Sequence, residues 1–172
     1  NGSVGYMAAY LDKLDKPPTA ISYLPDKVQS PSSVFESDPY FYISRRPFEL
    51  EKNEKHNLIS VGGPEALMDN TKAYNKEHIY PDGAQKEIDN FLHKTYKPAP
   101  KQIDYHFRWH GLMGYTPNGI RCIGPEPRNH VLLYNLGCNG IGILPSIYGG
   151  QKIAWFLEGK KLPPSIFDPK TA

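Results

Sequence analysis

Val131-Leu132-Leu133-Tyr134-Asn135-Leu136-Gly137-Cys138-Asn139-Gly140-Ile141-Gly142 is the stretch on which the reading of the chain turns. Its first half is a near-continuous apolar run bounded by turn residues, the pattern of a strand covered on both faces. Its second half is glycine-rich, and beyond it Ile143, Ile147, Ala154 and Leu157 fall on one helical stripe. Pro145 is tolerated in the first turn of such a helix, and Gly159 with Lys160 and Lys161 suits its end. Glycines let another group approach the backbone, and unpaired N–H groups at a helix start favour an anion or an electron-rich oxygen. A tight strand-to-helix turn with no ligand has the same sequence. Gly149 and Gly150 each cost a helix about 1 kcal/mol relative to alanine, so they point to helix packing or to close approach of another backbone or a ligand.

Working back from this stretch, Thr116-Pro117-Asn118-Gly119 is a turn, because proline presets its backbone angle and Asn-Gly accepts positive φ. It joins a short strand near Ile120 to Ile123 to the clearest alternation in the chain. There Ile103, Tyr105, Phe107 and Trp109 alternate with Asp104, His106, Arg108 and His110, which predicts one core face and one polar face. Ile88, Phe91, Leu92 and Thr95 share one face of a helix from about Gly83 to Tyr96, with Asp82 and Gln85 as a capping box and Pro98 and Pro100 as its end.

Tyr40 to Ser44 and Leu58 to Gly63 read as strands, and the charged segment Glu49 to Asn57 between them as a solvated hairpin tip. Pro17, Pro18, Pro25, Pro31 and Pro39 predict mostly irregular or edge structure over the first forty residues, with Met7 to Leu14 a helical turn or two.

Composition bounds the function. A chain of 172 residues with 39% hydrophobic residues and a formal net charge of +2 has a real core and lacks the basic excess of a nucleic-acid binder. No apolar run approaches the roughly 18 residues that cross a bilayer, so no transmembrane segment is expected. Cys122 and Cys138, without metal-ligand spacing, read as free thiols in a reducing, cytoplasmic setting. His106, Arg108 and His110 on one strand do not make a metal site, and none is expected. No serine, histidine and carboxylate or cysteine and histidine arrangement follows from spacing, so no catalytic acid, base or nucleophile is assigned.

Two ordered motifs carry a family resemblance. Trp109-His110-Gly111-Leu112-Met113-Gly114-Tyr115-Thr116-Pro117-Asn118-Gly119, followed by Ile123-Gly124-Pro125, resembles the W-x-G-x-x-x-x-T-P-D-G-x-P-x-I-G block of the FAD-dependent amino-acid and amine oxidases, the D-amino-acid oxidase and sarcosine oxidase family. Asn118 stands for the usual aspartate. Leu133 to Pro145 resembles the family's closing strand, G-x-x-G-x-G and helix, and Tyr40 to Ile43 and Leu58 to Gly63 resemble two of its strands.

The resemblance implies an α+β chain: a mainly antiparallel substrate-domain sheet with a covering helix over residues 1–110, then the C-terminal strand and helix of an FAD-binding domain over 111–172. It implies cofactor contacts from Gly111, Gly114, Asn139, Gly140, Ile141, Gly142 and Ile143, the last five facing N1 and the C2 carbonyl of the flavin. It implies substrate contacts from Met113, Tyr42 and Arg108, with Arg45 and Arg46 as further cations. Met113 occupies the place where family members with G-L-R-P carry a carboxylate-clamping arginine, so either another cation, with Arg108, Arg45 and Arg46 as candidates, does that job or the substrate is not a simple α-amino acid. Gly111 occupies the place of the cysteine that binds flavin covalently in sarcosine oxidases, so the FAD is expected to be noncovalent.

The family's amino-terminal G-x-G-x-x-G unit is absent from these residues. With Asn1-Gly2-Ser3 and no initiator methionine, the expectation is the C-terminal fragment of a longer protein whose partners are a small-molecule substrate and an amino-terminal FAD-binding half. The alternative is a noncatalytic ligand-binding or interaction module with the same fold.

Overall fold

The computed structural model describes residues 2–23, 41–68, 70, 73–96 and 98–170. Pro25, Pro31, Pro39 and Tyr40 lie outside the described residues. The architecture is α+β, a five-stranded antiparallel sheet with a two-stranded sheet and two helices. The chain divides into two units, Val4–Leu112 and Asn1–Ser3 with Met113–Ala172.

The larger sheet contains β1 (Gly2–Asp12), β2 (Thr19–Tyr23), β3 (Phe41–Glu49), β4 (Lys55–Met68) and β5 (Tyr105–Gly114) in the order β2-β3-β4-β1-β5. The β3 and β4 strands form a hairpin, pairing antiparallel from Tyr42 with Gly62 to Glu49 with Lys55. Its tip is shorter than the expected Glu49 to Asn57: Glu49 and Lys55 to Asn57 are in the ladder, and Asn57 is buried, its Nδ2 donating to the Lys13 and Lys16 carbonyls. Rings of β3 lie over two glycines of β4: a Cβ on Gly62 would lie 2.4 Å from the Tyr42 ring and one on Gly63 2.6 Å from the Phe41 ring, so a side chain at either would displace a ring.

The start of the chain overturns its expectation. β1 is an eleven-residue strand inside the sheet, with Val4, Ala8, Ala9 and Tyr10 buried, and no helical turn forms. Small residues are weak strand formers, and it is the pairing of β1 between β4 and β5 that selects the extended backbone. Pro17 and Pro18 stand in the connection after it, where no ladder hydrogen bond is needed.

Helix α1 (Asp82–Thr95) covers one face of this sheet. Ile88, Phe91 and Leu92 pack with Tyr96 against Ala8, Tyr10, Ile43, Ile59 and Val61, and the Phe91 ring stacks on Phe41 at 4.2 Å. Thr95, expected on that face, is exposed, and Ala84 takes the place one turn earlier. The capping box does not form. Pro81 is the N-cap, Asp82 is already helical, and the Gln85 side chain donates to Asp89 Oδ1 at 3.1 Å.

β5 is an edge strand, and its alternation breaks after Tyr105. Tyr105 donates to Asp89 Oδ1 of α1 at 2.7 Å, and Arg108 reaches Gln85 of the same helix, so both lie on the helix side. Phe107 and Trp109 therefore face the opposite side, 39% and 40% exposed, and are not the core residues that strict alternation predicts.

In the smaller unit, β6 (Cys122–Glu126) pairs antiparallel with β7 (Asn129–Leu136), and α2 (Ile143–Leu157) packs on both. The apolar strand and the apolar helix stripe sit where the sequence puts them, but neither is covered. Val131 is 90% exposed, and Ile143, Ile147 and Leu157 are 80%, 66% and 68% exposed. The side of α2 that meets the strands is polar instead, carrying buried Gly149 and Lys152.

Candidate functional site

The glycine turn is built from a β-turn over Cys138 to Ile141, closed by the Ile141 N–H donating to the Cys138 carbonyl at 3.1 Å. Asn139 and Gly140 both take positive φ, +48° and +75°, the combination of a type I′ turn that asparagine and glycine tolerate. Gly137 also has positive φ, and a Cβ there would meet the Thr116 methyl at 2.7 Å.

Asn139 ties this turn to the upstream motif. Its N–H donates to the Gly114 carbonyl at 3.0 Å. Its Oδ1 accepts from the Thr116 N–H at 2.9 Å, and its Nδ2 donates to the Gly119 carbonyl at 3.0 Å. The Thr116 to Gly119 turn forms as expected, with the Gly119 N–H donating to Thr116 and φ of +69° at Gly119. Two segments far apart in sequence are thus held as one piece, and the side chain doing so belongs to a residue that sequence reasoning assigned to a cofactor.

This attachment sorts the loop amides. The N–H groups of Asn139 and Ile141 are used inside the protein, while those of Gly140, Gly142 and Ile143 make no hydrogen bond among the described residues. Gly142 is the N-cap of α2 without a side-chain cap, so these donors and the positive end of the helix dipole stand together. Gly111 and Gly114 have open space where a side chain would project.

Behind the helix start lies a polar cluster that the sequence does not signal. Arg121, 7% exposed, donates from Nη2 to Asn135 Oδ1 at 2.9 Å and to Ser146 Oγ at 3.0 Å. Its Nε and Nη1 are buried without a partner among the described residues. Asn135 also donates from Nδ2 to the Ser146 carbonyl at 3.1 Å. Further along α2, Lys152 Nζ donates to the Ile123 carbonyl at 3.1 Å and to Asp168 Oδ1. Burial pushes the Asp168 carboxyl up, but the hydrogen bonds from Lys152 and the Ser165 N–H, with the lysine charge, hold it below the usual carboxylate range.

The expected substrate residues are not all brought together. Tyr42 lies over Gly62 on the sheet face away from α1. Arg108 is on the helix side, its Nε donating to Gln85 Oε1 at 2.7 Å and its guanidinium 5.1 Å from the Tyr105 ring centroid. Met113 belongs to the other unit. Arg45 is also on the helix side, bonded to the Pro17 carbonyl, the Tyr96 hydroxyl and Thr19 Oγ1. Arg46 is not: it lines a cavity of about 430 Å³ with Met7, Phe48, Leu58, Phe107 and Trp109.

Histidine geometry is structural. His110 Nε2 lies 2.9 Å from the His78 carbonyl and Nδ1 lies 3.2 Å from the Tyr74 hydroxyl, which also donates to the His110 carbonyl at 3.3 Å. Among the described residues no group of three histidine, cysteine or acidic side chains is placed to hold a metal, both cysteines are free, and no helix is long and apolar enough to cross a membrane. Comparisons with models of known families, with curated proteins and with solved structures return no match.

Proposed function

We propose that the chain is the C-terminal part of an FAD-dependent oxidoreductase of the cytoplasm, resembling the D-amino-acid oxidase and sarcosine oxidase family. In this reading it oxidises an amine, an amino acid or a hydroxy acid by hydride transfer from a C–N or C–O bond. The observation that carries the proposal is the set of open N–H donors on Gly140, Gly142 and Ile143 at the start of α2, held in place by the side chain of Asn139.

Those donors fit the electron-rich rim of an isoalloxazine ring, where reduction adds negative charge. Noncovalently bound FAD would supply the electron sink, and the protein would supply orientation and electrostatics. The helix dipole and the three amides offer fixed positive poles that need no rearrangement as charge develops. Arg121, hydrogen-bonded in the first turn of the helix, adds a full buried positive charge behind them. The Asn139 hydrogen bonds keep Gly114, Thr116 and Gly119 fixed to the loop, so a ring resting there would meet a rigid wall.

The exposed apolar stripes of β7 and α2 support the same reading. An uncovered strand and helix of this hydrophobicity are a surface for further protein, and an amino-terminal FAD-binding half is the proposed cover. Purification of the full-length protein tests the proposal. Bound oxidised flavin makes it yellow, and bleaching by substrate in the absence of oxygen identifies the hydride donor. A colourless protein that takes up no FAD would end the oxidoreductase reading.

A further inference from the structure

The face of the five-stranded sheet opposite α1 carries a largely apolar hollow. Arg46 and Phe48 from β3, Leu58 from β4, Met7 from β1, and Phe107 and Trp109 from β5 line an open hollow of about 430 Å³ there. Backbones three strands apart are separated by about 14 Å in a flat sheet. The Phe48 and Phe107 rings nevertheless meet edge to face, 6.1 Å between centroids, so the side chains of β3 and β5 close over one end of the hollow. A volume of this size, with mostly hydrophobic and aromatic walls and few polar groups, is that of a small-molecule site.

The polar groups are specific. Neighbouring arginines on β3 point to opposite faces: Arg45 is consumed by three hydrogen bonds on the helix side, while Arg46 has no side-chain hydrogen bond or ion pair among the described residues. Among the described residues, none that lines the cavity is acidic. Ser44 and Ser60, Cα partners across β3 and β4, add two hydroxyls to its floor. A guanidinium offers a planar fork matched to a carboxylate, and the aromatic wall matches an apolar body.

We infer that this cavity binds a small organic acid, its carboxylate on Arg46 and its apolar portion against Phe107, Trp109 and Phe48. As the substrate pocket of the enzyme the inference rests on the oxidoreductase reading and gives the missing anchor, since Met113 cannot clamp a carboxylate; as a binding site it stands apart from that reading.

Calorimetric titration of the full-length protein with phenylacetate and with its neutral isostere phenylacetamide tests it. The acid should bind about tenfold more tightly than the amide, the scale of one charge-assisted hydrogen-bonded pair. Arg46→Gln should bring the acid down to the affinity of the amide, and Trp109→Ala should weaken both. Lys52→Gln, in the exposed turn between β3 and β4, should leave the discrimination unchanged. Arg46 and Trp109 are exposed enough for replacement without opening the core. Equal binding of acid and amide, no binding of either, or discrimination that survives Arg46→Gln would overturn the inference. Visible absorption of the same samples separates the two proposals: acid discrimination in a protein that holds no flavin retains the pocket and removes the oxidoreductase, and flavin without discrimination does the reverse.

Discussion

The N–H of Thr116 donates to the side-chain oxygen of Asn139 at 2.9 Å, across 23 positions of sequence. That bond, with the two others made by Asn139, converts a turn and a glycine loop into one rigid element. It also explains why the loop can present three unsatisfied amides without collapsing on itself.

Asn139→Ala removes the side-chain bonds and places alanine at a φ of +48°. Net hydrogen-bond contributions and the left-handed backbone together predict a loss of about 2–3 kcal/mol in chemical denaturation. Asn139→Gly should lose less, because glycine accepts the backbone angle. Equal losses would mean the side-chain bonds dominate and the backbone angle costs nothing.

Gly149 and Gly150 are neighbours with opposite environments. A Cβ on Gly149 would lie 2.4 Å from Asn135 Oδ1, the atom that accepts from Arg121, whereas one on Gly150 meets nothing within 4 Å. Gly149→Ala should destabilise by about 1–3 kcal/mol, as overpacking does. Gly150→Ala should stabilise α2 by up to about 1 kcal/mol. Thermal unfolding of the two variants checks the contrast, and similar shifts would contradict the packing of α2 on β7.

Acid should weaken the smaller unit through Asp168. Its folded pKa lies below the ordinary 3.8, so its contribution to stability is complete above that value and is lost as pH falls through the folded pKa. Asp168→Asn should be less stable at neutral pH and should show a shallower acid decline than the parent. Parallel acid profiles would show that the pairing with Lys152 carries no stability.

Met113 stands where the oxidases that the chain resembles carry the arginine of G-L-R-P, so under the proposed function the smallest neutral D-amino acids, which lack an apolar body to rest on Phe107 and Trp109, should be poor substrates of the full-length protein. Oxygen consumption with D-alanine measures this directly. Fast turnover would mean that a cation outside the matched position holds the carboxylate of even the smallest substrates.

Local chemistry was the readable part of the sequence. The Thr116 to Gly119 turn needs only proline and Asn-Gly, and α1 needs only apolar residues three and four apart, so both are found where the sequence puts them. β1 was not readable, because Ala8 and Ala9 acquire an extended backbone from strands that lie far away in sequence. Strict alternation puts Phe107 and Trp109 on the core face, because it cannot register its own break after Tyr105.

The stripe on α2 shows a different limit. Its period is right, yet periodicity does not say which side of a helix meets the rest of this chain, and here that side is held by Arg121, Asn135, Ser146 and Lys152. Likewise nothing in the pair Arg45-Arg46 distinguishes a structural cation from a free one until α1 is known to lie on the Ile43 side of the sheet.

Flavin stoichiometry of the full-length protein beside its Gly140→Val variant tests the central claim most directly. Valine cannot adopt the φ of +75° at that position, and its side chain would press on the Tyr115 hydroxyl, 3.3 Å from an ideal Cβ. Stoichiometric FAD is expected in the parent and none in a folded variant; a variant that keeps its full complement of flavin would contradict the proposed placement of the ring at this loop.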